Sequence, residues 1–443
     1  MIVLSGAALV LPDRLLSAGT LVIEDGRITE IRPDAATPHG PSSFAFHGHY
    51  IVPGFIDVHV HGVDGTDSQD PGDPIAFIAG QLPKYGVTAF CPTTVACPPG
   101  MLRHVLDQVR RARETPRGRS ARVLPAHLES NFINAEYRGA QPSGCLRSPQ
   151  AALGSRGPGG SDGSGRPGGS GGSRRGSGSG ADEPRSAKAS AEREDFDGAD
   201  ILAEIERAAP DVGIVTVAPE LAGGLDLIRW LAGRGHYVSL GHSAATYDEA
   251  LAGVAAGARQ STHLFNRMPP LHHRAPGLAG AVLQADEVAA EIICDGVHVH
   301  PALVRAAIAA KRPSRVMAIT DATAAAGLPV GGRASIGGHA ITAAGSTALL
   351  DDGTIAGSVT TMDRVFQFLV AAVGLSLVDA ATLCATTPAR ELGLVGHGVL
   401  APEAAADLVV LDANFAVVQT YVGGQLVYAR DAANLGDQRH LHP

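Results

Sequence analysis

The segment Phe55-Ile-Asp-Val-His-Val-His61 closes an apolar run with two histidines one residue apart. Side chains on a strand alternate between faces, so His59 and His61 point the same way. Gly62 follows and lets the chain turn. Two imidazoles on one face of a strand end can ligate a divalent metal, although two polar histidines closing a strand would look the same in isolation. The metal reading therefore needs more donors at the ends of later segments. Four are present: Glu129 in 122–130, His242 in 237–243, His263 in 261–266 and Asp321 in 315–321. Imidazoles and carboxylates suit Zn²⁺, with Fe²⁺, Mn²⁺ or Co²⁺ as alternatives. Glu129, His242 and His263 make a three-ligand set of the kind that leaves one position for water. His59 and His61 complete a second site, with Glu129 bridging. Such a centre acidifies water into a hydroxide nucleophile. Asp321 is the carboxylate left over to take the proton of that water and pass it to a leaving group.

These donors need a frame that gathers strand ends. Short apolar segments at 55–61, 86–93, 122–130, 212–220, 237–243, 261–266, 290–295 and 315–321 alternate with Ala-rich helical stretches such as 247–256 and 301–310. Strands alternating with helices predict an α/β fold with a parallel sheet. Eight units over about 300 residues suit a (β/α)8 barrel, whose active site lies at the C-terminal strand ends. An open doubly wound sheet is the alternative. The barrel is assigned to residues 54–393.

Residues 1–53 and 394–443 have a different character, with short alternating strands around turn signals at Asp25-Gly26 and Gly423-Gly424. They predict one small β domain built from both termini. Residues 154–194 are dominated by Gly, Ser, Pro and Arg. They hold too little apolar surface to offset their ordering entropy, and predict a disordered surface insertion within the barrel. A mobile lid or a partner-binding loop is the functional alternative.

Composition excludes some classes. Of 443 residues, 45% are hydrophobic and 18% charged, as in globular proteins. A net charge of −9 argues against a general nucleic-acid binder. No apolar run reaches the ~18 residues of a membrane helix, and the N-terminus lacks the basic region of a secretory peptide. The five cysteines are odd in number and not spaced as a metal knuckle, which fits a reducing cytoplasm.

The ordered set of motifs resembles the N-acetylglucosamine-6-phosphate deacetylase family of the amidohydrolase superfamily. The matching residues are Pro53-Gly-Phe-Ile-Asp57 with His59 and His61, Ala126-His-Leu-Glu129, Ala218-Pro-Glu220, Gly241-His-Ser243, Thr262-His-Leu-Phe-Asn266 with Met268-Pro269, Pro276-Gly-Leu-Ala-Gly280, Asp295-Gly with His298, Thr320-Asp-Ala322 and Gly357-Ser358. The resemblance implies a barrel with a small β-sandwich. It implies metal on Glu129, His242 and His263, Asp321 as general acid and base, and His298 polarising the amide carbonyl. Asn266 and Arg274 would help hold the sugar phosphate. The histidines at 59 and 61 imply capacity for two metals, where some relatives carry Gln and Asn. Other amidohydrolases bridge their metals with a carboxylated lysine. Lys84, Lys188 and Lys311 are the only lysines, and none ends a barrel strand at that point. The resemblance further implies a homodimer.

Three places depart from the family pattern. Ser130-Asn131 stands where the family has Gly-Pro, Gln141 where it has a substrate-contacting His, and Arg267 where it has Ala. All three fall where the family binds sugar or phosphate, so Gln141 and Arg267 are candidate substrate contacts. The expected activity is removal of the acetyl group from N-acetylglucosamine 6-phosphate. Hydrolysis of another N-acyl amino sugar or N-acyl amino acid is the nearest alternative. A non-catalytic sugar-phosphate sensor is the alternative of another class.

Overall fold

The computed structural model describes residues 1–33, 43–154 and 195–430. The expected insertion at 154–194 lies outside the described residues, apart from Gly154 at the end of the helix Pro149–Gly154. Residues 431–443 also lie outside them.

Eight parallel strands build the barrel: Phe55–Val60, Val87–Thr94, Arg122–Val123 continued by Ala126–Leu128, Val212–Val217, Tyr237–Leu240, Gln260–Ser261, Ala289–Ile293 and Val316–Ile319. They neighbour one another in chain order. The first and eighth meet through His61 N–H on Ala322 O at 2.8 Å and Asp321 N–H on His59 O at 3.1 Å. These bonds close the ring, so the barrel reading holds over the open sheet. Strands Val87–Thr94, Val212–Val217 and Ala289–Ile293 are buried along their whole length. Parallel strands covered by helices on one side and a filled interior on the other require this. The helices are amphipathic, and Val105, Val109, Ile201, Ile205, Leu227 and Leu231 share one core with the strands. Tyr247–Ala256 forms as expected, started by a capping box between Thr246 and Glu249.

The two termini do meet. Strands from 2–53 and 408–429 form one eight-stranded sheet, with Tyr50–Pro53 antiparallel to Leu408–Leu411. Leu4, Leu9, Leu21, Ile28, Ile51, Leu408, Val410 and Tyr421 share its core. Asp25 and Gly26 both take left-handed φ, 49° and 77°, as a two-residue hairpin turn requires. Asp407 pins this sheet to the barrel. It accepts from Arg122 Nη2 at 3.1 Å, from His397 Nδ1 at 2.8 Å and from the Gly423 N–H at 2.6 Å.

One layer was absent from the sequence reading. After the eighth barrel strand, Arg333–Ile336, His339–Ala344, Thr347–Leu350 and Ile355–Ser358 form a four-stranded antiparallel meander. Its last strand is tied to the barrel end by Ser358 N–H on Asp321 O at 2.9 Å.

Candidate active site

All five candidate ligands converge. Glu129 Oε1 lies 2.7 Å from His242 Nε2 and 2.8 Å from His263 Nε2. The Nε2 atoms of His59 and His61 are 3.3 Å apart, and Glu129 Oε2 is 3.5 Å from that of His61. Asp321 Oδ1 is 3.3 Å from His59 Nε2 and 3.4 Å from His61 Nε2. The site is thus two three-residue groups that share Glu129, namely His59–His61–Glu129 and Glu129–His242–His263, each with donor atoms within 4.8 Å of one another. All of these side chains are buried.

Such a cluster fits a divalent cation. Facing imidazole nitrogens 3.1–3.3 Å apart repel unless a proton or a metal sits between them, and the donor types are those of Zn²⁺ or Fe²⁺ centres. His242 is oriented from behind by its Nδ1 on Tyr137 O at 2.8 Å.

The local backbone departs from the sequence expectation. His242, His263 and Asp321 were placed on strand ends. The fifth, sixth and eighth strands instead stop at Leu240, Ser261 and Ile319. The three residues lie two positions further on, with φ of 47°, 31° and 49°. A left-handed turn swings each side chain over the barrel mouth. Such conformations are costly for non-glycine residues and persist where surrounding structure enforces them.

Electrostatics separate the roles. Burial would raise the Asp321 carboxyl, but the His59 and His61 rings outweigh it and hold it below the usual carboxylate value. Burial would likewise raise Glu129, and the His242, His263 and His61 rings bring it well below. Burial pushes His59 down to about 4, whereas at His61 burial is outweighed by the hydrogen bonds and charges of Asp321 and Glu129, which raise the ring to about 10.

A cavity of about 470 Å³ opens over the cluster. It is lined by His61, Glu129, His242, His263 and Asp321 at its floor, and by Arg138, Gln141, Asn266, Arg267, His298 and the meander residues Ile336 and Ile355. The family model for the amidohydrolases matches residues 50–427. The chain belongs to the amidohydrolase family. The N-acetylglucosamine-6-phosphate deacetylase of Homo sapiens is 34% identical over 432 residues, covering 95% of this chain and 91% of that protein. The Bacillus subtilis deacetylase of the same description is 29% identical, covering 96% and 97%. A mutant of the Mycobacterium smegmatis deacetylase, solved in complex with N-acetyl-D-glucosamine-6-phosphate, superposes with a TM-score of 0.79 at 29% identity, covering 97% of this chain and 99% of that one.

Within this amidohydrolase the predicted substrate residues divide. His298 faces the cavity, its Nδ1 held by Asp295 Oδ2 at 2.6 Å and its buried Nε2 without a partner among the described residues. Gln141 is fixed by the Ala96 N–H on its Oε1 at 2.7 Å, and its amide donates to Glu129 Oε2. Arg267 crosses the mouth to donate to Ile355 O at 2.9 Å. It passes over Gly139, where a Cβ would collide with its Nε. Arg274 is on an exposed turn and does not line the cavity.

Ser130 and Asn131, the first of the three departures from the family pattern, make structural contacts. Ser130 Oγ donates to Thr216 O at 2.5 Å, and Asn131 Nδ2 donates to Cys97 O and Cys145 O at 2.9 and 2.8 Å. Both brace the loop after the third strand, and neither lines the cavity. Three contributors were missed. Arg138 lines the mouth, Asp295 holds His298, and Glu291 lies behind His59 with Oε2 3.1 Å from Nδ1. Glu291 had a visible signal, a lone charge in the apolar strand Ala289–Ile293.

Proposed function

We propose that this chain hydrolyses the acetamide of N-acetylglucosamine 6-phosphate, giving glucosamine 6-phosphate and acetate. The observation that supports it most is the pairing of a shared-glutamate ligand cluster with an ionised aspartate on the floor of one polar cavity. A divalent metal bound by His59, His61, Glu129, His242 and His263 would polarise the amide carbonyl and acidify water; zinc is the identity we favour.

The chain's own groups do the rest. Asp321 Oδ1 takes the proton of the attacking water and returns it to the amine nitrogen as the C–N bond breaks. Asp295 holds the His298 ring so that Nε2 faces the cavity. With a proton on Nε2, that ring would donate to the acetyl oxygen as it gains charge. Arg138 and Arg267, at the mouth, suit the phosphate. Asn266 borders the same cavity. Arg274 lies outside the cavity lining, and in the homodimer we propose its role would be to meet the phosphate held by a neighbouring copy. Among the described residues no helix is long and apolar enough to cross a membrane. All five cysteines are buried, and a cytoplasmic location is the reading we favour.

The test is acetate release by zinc-loaded protein from N-acetylglucosamine 6-phosphate and from its unphosphorylated parent. Phosphate-dependent turnover is expected. Turnover of other N-acyl compounds in preference to both would move the reading to a paralogous amidohydrolase. Binding without hydrolysis would move it to a sensor.

A further inference from the structure

We propose that Glu291 is a positioning residue for the His59 half of the metal centre. It holds His59 by Nδ1, so that Nε2 presents its lone pair to the centre.

Glu291 sits on the seventh barrel strand with no exposed surface. A buried carboxylate is costly unless a cation or a hydrogen-bond donor meets it. The contacts made by Glu291 are few. Its Oε2 is 3.1 Å from His59 Nδ1, and its Oε1 has no hydrogen-bond partner among the described residues. His127 Nδ1 is the other nearby ring nitrogen, 3.9 Å from Oε1. That nitrogen is already committed, 3.0 Å from Val58 O, and His127 Nε2 is 3.0 Å from Thr216 Oγ1. A carbonyl accepts only from an N–H, so His127 Nδ1 carries a proton and cannot ligate a metal. The group His59–His127–Glu291 is therefore not a third ion site, despite its spacing.

The consequence falls on His59. A neutral imidazole has one N–H, and the hydrogen bond at one nitrogen decides which nitrogen keeps the lone pair. With Nδ1–H on Glu291, Nε2 is free to ligate. That is the atom 3.3 Å from His61 Nε2 and 3.7 Å from Glu129 Oε1. No other ligand histidine is backed this way. His242 Nδ1 rests on a backbone carbonyl, and His61 Nδ1 and His263 Nδ1 have no partner among the described residues. A carboxylate behind one ligand raises the basicity of that ligand alone.

This inference rests on the metal reading above, and its test separates the two. Parent and Glu291→Gln proteins are loaded with Zn²⁺ or Co²⁺. Ions per chain are counted by plasma emission, affinities are measured against a chromophoric chelator, and the visible spectrum of the Co²⁺ forms is recorded. The parent is expected to hold two ions of unequal affinity. Glu291→Gln, which keeps shape and loses charge, should keep the tighter ion and bind the weaker one about 10- to 100-fold less well. The cobalt spectrum of the second ion should change. Equal affinity for the second ion in parent and variant overturns the proposal. So does a parent that holds one ion, or a folded variant that loses both ions together. A parent that binds no ion at all removes the metal reading itself. Should Glu291→Gln fail to fold, Glu291→Asp serves: a retracted carboxylate must weaken the second ion and spare the first, and an unchanged second ion again overturns the assignment.

Discussion

Replacing Asp321 by Asn isolates the proton-transfer step. Asn has nearly the shape of Asp and tolerates the left-handed backbone at φ 49°, so the turn that carries it survives. The carboxylate Oδ1 sits 3.3 and 3.4 Å from the His59 and His61 Nε2 atoms. Those rings keep it ionised in spite of burial. An amide cannot accept the proton. General base and acid catalysis by a placed side chain contributes about 10²- to 10⁴-fold, or roughly 3–5 kcal/mol of barrier, and kcat should fall by that factor. KM should change little, because Arg138 and Arg267 at the cavity mouth are untouched. The assay is acetate release under saturating substrate, with bound metal counted on the same sample. A kcat within about tenfold of the parent, with metal retained, would refute the reasoning and transfer the proton-moving role to another group.

Three further outcomes are expected. Arg267→Ala should raise KM for the phosphorylated substrate by on the order of 10- to 100-fold, the worth of a charge-assisted hydrogen bond, and leave the unphosphorylated sugar nearly unaffected; an equal effect on both would make Arg267 a brace for the Ile355 strand. Chelation should abolish turnover and Zn²⁺ should restore it, while circular dichroism shows the barrel intact. Turnover that persists after complete metal removal contradicts the proposed centre. Asp407→Asn should lower the melting temperature at neutral pH, by about 2 kcal/mol of stability once screening at the half-exposed Arg122 is allowed for. Burial raises the Asp407 carboxyl, and His397, Arg122 and the Gly423 N–H together bring it below its ordinary value. Its stabilising contribution is therefore present above the unfolded carboxylate range near pH 4 and fades as pH falls through the lower folded value. Melting curves of parent and variant should converge in acid.

Much of the architecture was legible because its signals are local. Alternation put His59 and His61 on one face, Asp25-Gly26 specified its turn, and the Ala-rich composition from Tyr247 to Ala256 specified its helix. The meander at 333–358 is not legible because its strands are short, partly exposed and rich in Ala. Its stability comes from docking on the barrel end, which no window of sequence records.

The amino-acid order by itself determined which residues carry donors and that they fall at or just beyond the ends of five of the eight strands; a donor's chemistry is a property of its residue type. Tertiary structure decided where those donors point. Only the closed ring brings Glu129 within 2.7 and 2.8 Å of two histidines more than a hundred positions away. Only the fold turns His242, His263 and Asp321 into left-handed φ over the mouth. It also sends Ser130 and Asn131 into bracing bonds, keeps Arg274 on an outer turn and sets Glu291 behind His59. The reason is geometric: alternation constrains a side chain to one of two faces, whereas its aim depends on packing against residues far away in the chain.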